Sequence, residues 1–137
     1  MRFRLLTFCC LFSASGLAQE KVTFNEHIRP ILSDNCFACH GKDATHREAK
    51  LRLDIAEGAI ATRGEGLPAI TPGQLEKSEL WWRITSKDDD ERMPPADSHK
   101  QPLTTAQRAL IKQWIEQGAV YQNHWAYEPV ARPEAPV

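Results

Sequence analysis

The run Cys36-Phe37-Ala38-Cys39-His40 is the part of the sequence best suited to carry out chemistry. Two thiols three positions apart can add to the two vinyl groups on one edge of a porphyrin, and the imidazole that follows directly can then bind the iron. A C-x-x-C-H run is accordingly the attachment signature of c-type haem. The sequence therefore predicts one covalently bound haem c, held through Cys36 and Cys39, with His40 as the proximal iron ligand.

Met93 is the candidate for the second iron ligand. It is the only methionine besides the initiator, and Pro94 and Pro95 directly behind it restrict the backbone. A thioether sulfur is a soft, neutral ligand that suits haem iron opposite a histidine. Methionine also commonly fills gaps in a core. We favour the role of distal iron ligand for Met93, with core packing as the alternative.

Other histidines are weaker candidates for the iron. His27 lies on a predicted helix, His46 sits in a charged loop, and His124 stands near the end of the chain. The sequence around each of them favours a surface or packing role. We therefore expect none of the three to bind iron.

Paired cysteines have other uses, which define the alternative functions. A zinc site is one, but adjacent Cys39 and His40 are poorly placed to share a tetrahedral metal, and no second C-x-x-C or H-x-x-H follows. A thiol–disulfide oxidoreductase is another, although it needs a βαβ scaffold that the sequence does not suggest. A third is a haem docking or sensor module of a larger assembly, motivated by the acidic loop 88–91 and the tail.

The elements that position these residues are predicted to be short helices joined by long loops. The chain has 137 residues, 42% of them hydrophobic, with nine prolines and seven glycines, which fits one small domain. Periodic apolar residues predict helices over 24–34, 78–85 and 105–117. Thr23 with Glu26, and Thr104 with Gln107, have the form of capping boxes, and Asp54 resembles the N-cap of a helix over 55–62. We predict a mainly α fold.

The first 18 residues have the features of a secretory signal. Arg2 and Arg4 precede a short apolar run, and small residues follow up to Ala18. The run is too short to span a bilayer. An uncleaved anchor and a lipoprotein attached through Cys9 or Cys10 are the competing interpretations. We expect an exported protein, periplasmic or extracellular, with no stable membrane insertion after cleavage. A formal net charge of −1 gives no reason to expect nucleic acid as a partner.

Seven segments together resemble the planctomycete-type cytochrome c domain, over Val22 to about Trp125. They occur in the order Phe24…Ile28-Arg29-Pro30-Ile31-Leu32, Cys36-Phe37-Ala38-Cys39-His40-Gly41, Leu51-Arg52-Leu53-Asp54, Pro72-Gly73, Lys77-Ser78-Glu79-Leu80, Arg92-Met93-Pro94-Pro95 and Trp114-Ile115-Glu116-Gln117-Gly118-Ala119. The resemblance implies a small cytochrome c-like helical domain with long loops around a covalent haem. It also implies iron ligation by His40 and by Met93.

The same resemblance implies an electron carrier rather than an enzyme. In that family the domain usually stands at the amino end of longer secreted proteins. We therefore expect a cytochrome domain over 22–125 and a Pro-rich linker over 126–137. The expected partners are redox donor and acceptor proteins or a downstream domain. Because so small a core needs the buried surface of the haem, we expect the haem-free chain to be poorly folded.

Overall fold

The computed structural model describes residues 20–62, 64, 66–123 and 126. Within these residues the secondary structure is helical and contains no strand, which confirms the predicted mainly α class. No helix in this part of the chain is long and apolar enough to cross a membrane. The predicted signal over 1–18, His124, Trp125 and the predicted tail apart from Ala126 lie outside the described residues.

The first helical stretch has the predicted extent. A π-helical turn over Phe24–Ile28 runs directly into helix α1, Arg29–Asn35. Pro30 lies in the first turn of α1, where the missing N–H would have had no intrahelical partner in any case. The proline therefore restarts the helix instead of ending it. The chain then continues through Cys36 into the single helical turn α2, Phe37–His40.

The predicted capping box at the start of this stretch is wrong. Thr23 occupies the N-cap position but makes no side-chain cap bond to the helix. Instead, the Thr23 backbone N–H donates to Nδ1 of His27 at 3.1 Å, and Thr23 Oγ1 lies 3.0 Å from the same nitrogen. His27 is half-buried and takes part in ordering the helix start, so it serves the fold and lies away from the cysteine motif.

Helix α3 spans Ala56–Ile60 and is shorter than predicted. Ile55, not Asp54, is at its N-cap position, and no side chain caps it. Asp54 is engaged by Arg52, whose Nε donates to Asp54 Oδ1 at 2.9 Å. Both partners of this bond are ionised, whereas a cap bond to a backbone N–H would have only the carboxylate ionised, which explains why the carboxylate faces the arginine.

Helices α4, Glu79–Thr85, and α5, Thr105–Glu116, lie where the sequence predicts them. The capping box of α5 is present, with Gln107 N–H donating to Thr104 Oγ1 at 3.2 Å. Gly118 has a φ of +100° and ends the helix. 3₁₀ turns at Leu75–Lys77 and Ala96–Ser98 shape the loops before α4 and α5.

The core lies where the Phe24–Ile28 turn, α1, α4 and α5 meet. Phe24, Trp114 and Tyr121 form an aromatic cluster with ring centroids 4.3–5.6 Å apart. Of the two adjacent tryptophans, Trp81 packs against the core while Trp82 is 48% exposed. This division is what helical geometry requires of neighbours about 100° apart. The core holds α1 rigidly, and α1 in turn positions the cysteine motif.

Candidate cofactor site

The cysteine motif is a helical turn continuous with α1. The Cys36 N–H donates to the Leu32 carbonyl at 2.8 Å, and the His40 N–H donates to the Cys36 carbonyl at 2.8 Å. In a helical turn the positions i, i+3 and i+4 share one face. Cys36, Cys39 and His40 are therefore presented on the same side of the turn.

This side of the turn borders a central cleft with two lobes. The lobes have volumes of about 420 and 490 Å³ and share Cys36, His40, Ala49 and Met93 as lining residues. Cys39 lines the second lobe only. Met93 is far from the motif in sequence, yet tertiary folding brings it to the same cleft. The four predicted site residues are therefore all found at one place.

The lining of the cleft suits a large, flat, mostly apolar group. Leucine and alanine side chains dominate the first lobe, namely those of Ala49, Leu51, Leu53, Ala69 and Leu80. Each lobe has a volume within the range of small-molecule sites. Two thiols, an imidazole and a thioether are the donor set that a covalent haem needs. The residues present thus fit haem c.

The two thiols lie in different environments. Cys36 is buried, and burial, followed by the nearby Cys39, raises the pKa of its thiol to about 12, although Lys100 acts in the opposite direction. Cys39 is exposed, and the two are not joined by a disulfide. Cys36 therefore stays a neutral thiol at physiological pH, facing the cleft.

Backbone hydrogen bonds hold the turn from behind. The Leu53 N–H donates to the His40 carbonyl at 2.8 Å, and the Tyr121 hydroxyl donates to the Leu53 carbonyl at 3.1 Å. The Glu48 N–H donates to the Cys39 carbonyl at 2.8 Å. His40 itself is half-buried, with its Nδ1 atom buried. The imidazole is thus carried on a backbone fastened at several points.

Replacing Tyr121 by Phe should loosen this support. The Tyr121 hydroxyl is largely buried, and burial, with the charge of Asp54 adding to it, raises its pKa well above the ordinary value, so it is a neutral donor at all relevant pH values. The Phe variant leaves the Leu53 carbonyl without this donor, at a cost of about 1–2 kcal/mol. Urea unfolding of the haem-bearing protein measures the loss. An unchanged midpoint would mean that the bond contributes nothing.

Gly41 is required by close packing rather than by an unusual φ. A Cβ at this position would lie 2.3 Å from the Phe37 carbonyl oxygen, a backbone atom that cannot move without opening α2. Gly41→Ala should therefore cost about 3 kcal/mol, at the upper end of overpacking penalties, and reduce the yield of haem-bearing protein. Lys42→Ala, at the exposed neighbouring position, is the control. If thermal melts of both Gly41→Ala and Lys42→Ala coincide with that of wild type, the predicted loss of stability is contradicted.

The segment that carries Met93 is tied to α4. The Met93 N–H donates to the Arg83 carbonyl at 2.9 Å, and Arg83 also lines the first lobe of the cleft. Within the same segment, Arg92 Nε donates to Asp89 Oδ1 at 2.6 Å and Arg92 Nη1 donates to the Pro94 carbonyl at 3.0 Å. Met93 is thus supported on both sides along the chain.

The sequence identified the four candidate haem-binding residues but not the residues that support them. Arg83 and Tyr121 lie in no motif, and Leu53 lies in the segment 51–54 of the family resemblance, which gave it no role of its own. The i, i+4 spacing of Glu79 and Arg83 on one helix is the signal that would have pointed to an ion pair. The expected surface role of His46 agrees with the structure, since its side chain is 76% exposed and pairs with Asp43.

The zinc alternative finds no support in the grouping of side chains. In the part of the chain that the structure describes, no three His, Cys, Asp or Glu residues are gathered so as to hold a metal ion. Cys36, Cys39 and His40 share a face of the turn but do not converge on one point as a tetrahedral site requires.

Comparison with known proteins agrees with the geometry. The family model described as Planctomycete cytochrome C matches residues 36–97, a stretch that begins at the first motif cysteine and includes Met93. No curated protein and no solved structure matches the chain. The match supports a c-type cytochrome domain. Over residues 36–97 this chain is therefore similar to the planctomycete cytochrome C family.

Proposed function

We propose that the protein carries single electrons on one covalently bound haem c. The observation that supports this most directly is the shared lining of the two lobes. His40 and Met93 border both lobes and could therefore both bind the iron, while Cys36 and Cys39 lie along the motif turn. When bound, the haem supplies an iron that cycles between two oxidation states.

The thiols of Cys36 and Cys39 would hold the group covalently. Each S–H would add across one vinyl C=C, forming a carbon–sulfur bond while the hydrogen goes to the other vinyl carbon. No electrons are gained or lost overall. The raised pKa of Cys36 keeps its thiol neutral, and a neutral thiol is less reactive than a thiolate.

His40 and Met93 would complete the coordination of the iron. A neutral imidazole and a neutral thioether favour the reduced state relative to two imidazoles, which raises the potential. With the iron held by both His40 and Met93, external small molecules would have no open site. This arrangement suits a carrier and disfavours a sensor or a peroxidase.

The setting of the reaction follows from the family and the sequence. Cytochrome c domains of this kind are typically exported, and we propose a periplasmic or extracellular location with cleavage after the signal over 1–18. Redox donor and acceptor proteins, or a further domain, are the proposed partners.

Expression with a c-type maturation system tests the proposal. Covalent haem is recognised by sharp visible bands of the reduced protein that remain with the polypeptide after extraction with acidified acetone. Cys36→Ala and Cys39→Ala variants should each leave a haem with one unsaturated side group, which shifts the band of the alkaline pyridine complex. Absence of any haem from the wild-type protein would overturn the proposal, and metal analysis with thiol titration would then test for zinc or a disulfide.

A further inference from the structure

Arg83 is linked to the Met93 segment by both its backbone and its side chain. The Arg83 carbonyl accepts from the Met93 N–H at 2.9 Å. The Arg83 side chain reaches two positions back along the same segment, where Nη1 donates to the Glu91 carbonyl at 3.2 Å. These two bonds fasten the segment to α4 immediately before the candidate ligand.

The guanidinium of Arg83 is itself held in place. Its Nε and Nη2 both donate to Glu79 Oε1, at 3.2 and 3.0 Å, and its central carbon lies 4.9 Å from the centre of the Trp82 ring. The side chains of Arg83 and Glu79 are 32% and 33% exposed. A planar guanidinium with fixed donors can span two acceptors at once, which a lysine ammonium on a flexible stem does poorly.

The segment held by Arg83 is closed by its own hydrogen bonds. Both the Glu91 N–H and the Arg92 N–H donate to the Asp88 carbonyl, at 3.2 and 2.8 Å, so residues 88–92 form a closed turn. Its acidic residues are mostly exposed. Fastening the Glu91 carbonyl therefore fastens the whole turn.

Helix α4 is a firm support for this attachment. Its first two N–H groups donate to the carbonyls of Pro68 and Ala69 at 3.0 and 2.9 Å, and Leu80 and Ile84 are buried in the core. Leu80 also lines the cleft. Helix α4 is buried, whereas the 88–92 turn is exposed. The position of the turn therefore depends on the few hydrogen bonds that join it to α4.

We infer that Arg83 is the positioning residue for Met93, fastening the 88–92 turn to α4 so that the thioether stays at the cleft. This inference rests on the proposed ligation of haem iron by Met93. Arg83 itself does not touch the iron in this scheme. Replacing Arg83 should shift the equilibrium between the iron-bound and the released Met93 thioether. Binding of an external ligand to the iron measures this shift.

Arg83→Met tests the inference, and Arg29→Met is a closely matched control. Arg29 is also half-buried, bonds a side chain four residues earlier through its Nε (Asn25 Oδ1, 2.9 Å) and lies 5.1 Å from an aromatic ring centre. It differs in having no bond to the Met93 segment and in not lining the described cleft. Any general effect of removing a helical arginine is therefore common to both variants.

The readouts are imidazole binding to the oxidised haem protein and the weak long-wavelength absorption band of methionine-bound ferric haem. Arg83→Met should bind imidazole about tenfold more tightly than wild type, as expected for loss of a charge-assisted hydrogen bond, and its long-wavelength band should weaken. The imidazole affinity of Arg83→Lys should lie between those of wild type and Arg83→Met, because lysine keeps the positive charge but lacks the planar guanidinium with its fixed donors. Arg29→Met should match wild type.

Each outcome separates the inference from the proposed function. Suppose that the wild-type protein shows the long-wavelength band and that Arg83→Met and Arg83→Lys bind imidazole as Arg29→Met does. This outcome overturns the positioning role of Arg83 but not the proposed function. A haem-bearing wild type without the band overturns Met93 ligation and with it the role of Arg83. If Arg83→Met yields no haem-bearing protein, the comparison of Arg83→Lys with Arg29→Met decides.

Discussion

Met93→Leu is expected to lower the midpoint reduction potential by on the order of 0.1 V or more, within the range of about 0.8 V over which axial ligands set haem potentials. Leucine keeps the volume and apolar character of methionine, so a purely packing role predicts a cost below about 1.5 kcal/mol and no change in the haem spectrum. Loss of the thioether removes the ligand that favours the reduced state. Spectroelectrochemical titration measures the difference.

The same variant should also acquire an open coordination position. External imidazole or cyanide is then expected to bind the oxidised protein much more tightly than it binds wild type. Ile111→Val, at a buried core position of α5 that lines neither lobe, is the control for altered packing and should keep a near-normal potential. Identical potentials and ligand affinities for wild type and Met93→Leu would assign Met93 to packing and reopen the sensor alternative.

Haem-free protein is expected to lose its cooperative thermal transition. The two lobes of the cleft are large for so small a domain, and without the cofactor their walls face water. Domains of this size have about 5–15 kcal/mol of total stability, so loss of the contacts that a haem would make with both walls is expected to exhaust it. Calorimetry of the Cys36→Ala, Cys39→Ala double variant should show at most a broad, weak transition.

Wild-type protein produced without the maturation machinery separates the effect of the haem from that of the thiols. It keeps Cys36 and Cys39 but lacks the covalent group, and it should behave like the double variant. A Ser33→Ala variant, changed at an exposed position of α1 that lines neither lobe, should melt like the holo form. A sharp transition of the haem-free wild type within a few degrees of the holo form would show that the polypeptide folds on its own.

Local patterns in the sequence were enough to predict most of the helices and the candidate ligands. The Thr104–Gln107 box and Gly118 predicted the ends of α5, because caps act through hydrogen bonds and φ angles within a few residues. The spacing of Cys36, Cys39 and His40 is likewise a local property of one helical turn. Predictions failed where two local partners compete, as when Arg52 engages Asp54 and His27 replaces Glu26 at the helix start.

Only the tertiary structure decided what surrounds the motif. That Met93 borders the same cleft as His40 depends on the packing of α4 and on a turn fastened by Arg83. That Leu53 and Tyr121 support the His40 backbone depends on a contact between residues 68 positions apart. Such contacts follow from how helices pack and loops close, and no periodicity within a short window encodes them. The sequence by itself determined the donor groups, and the fold determined their common site.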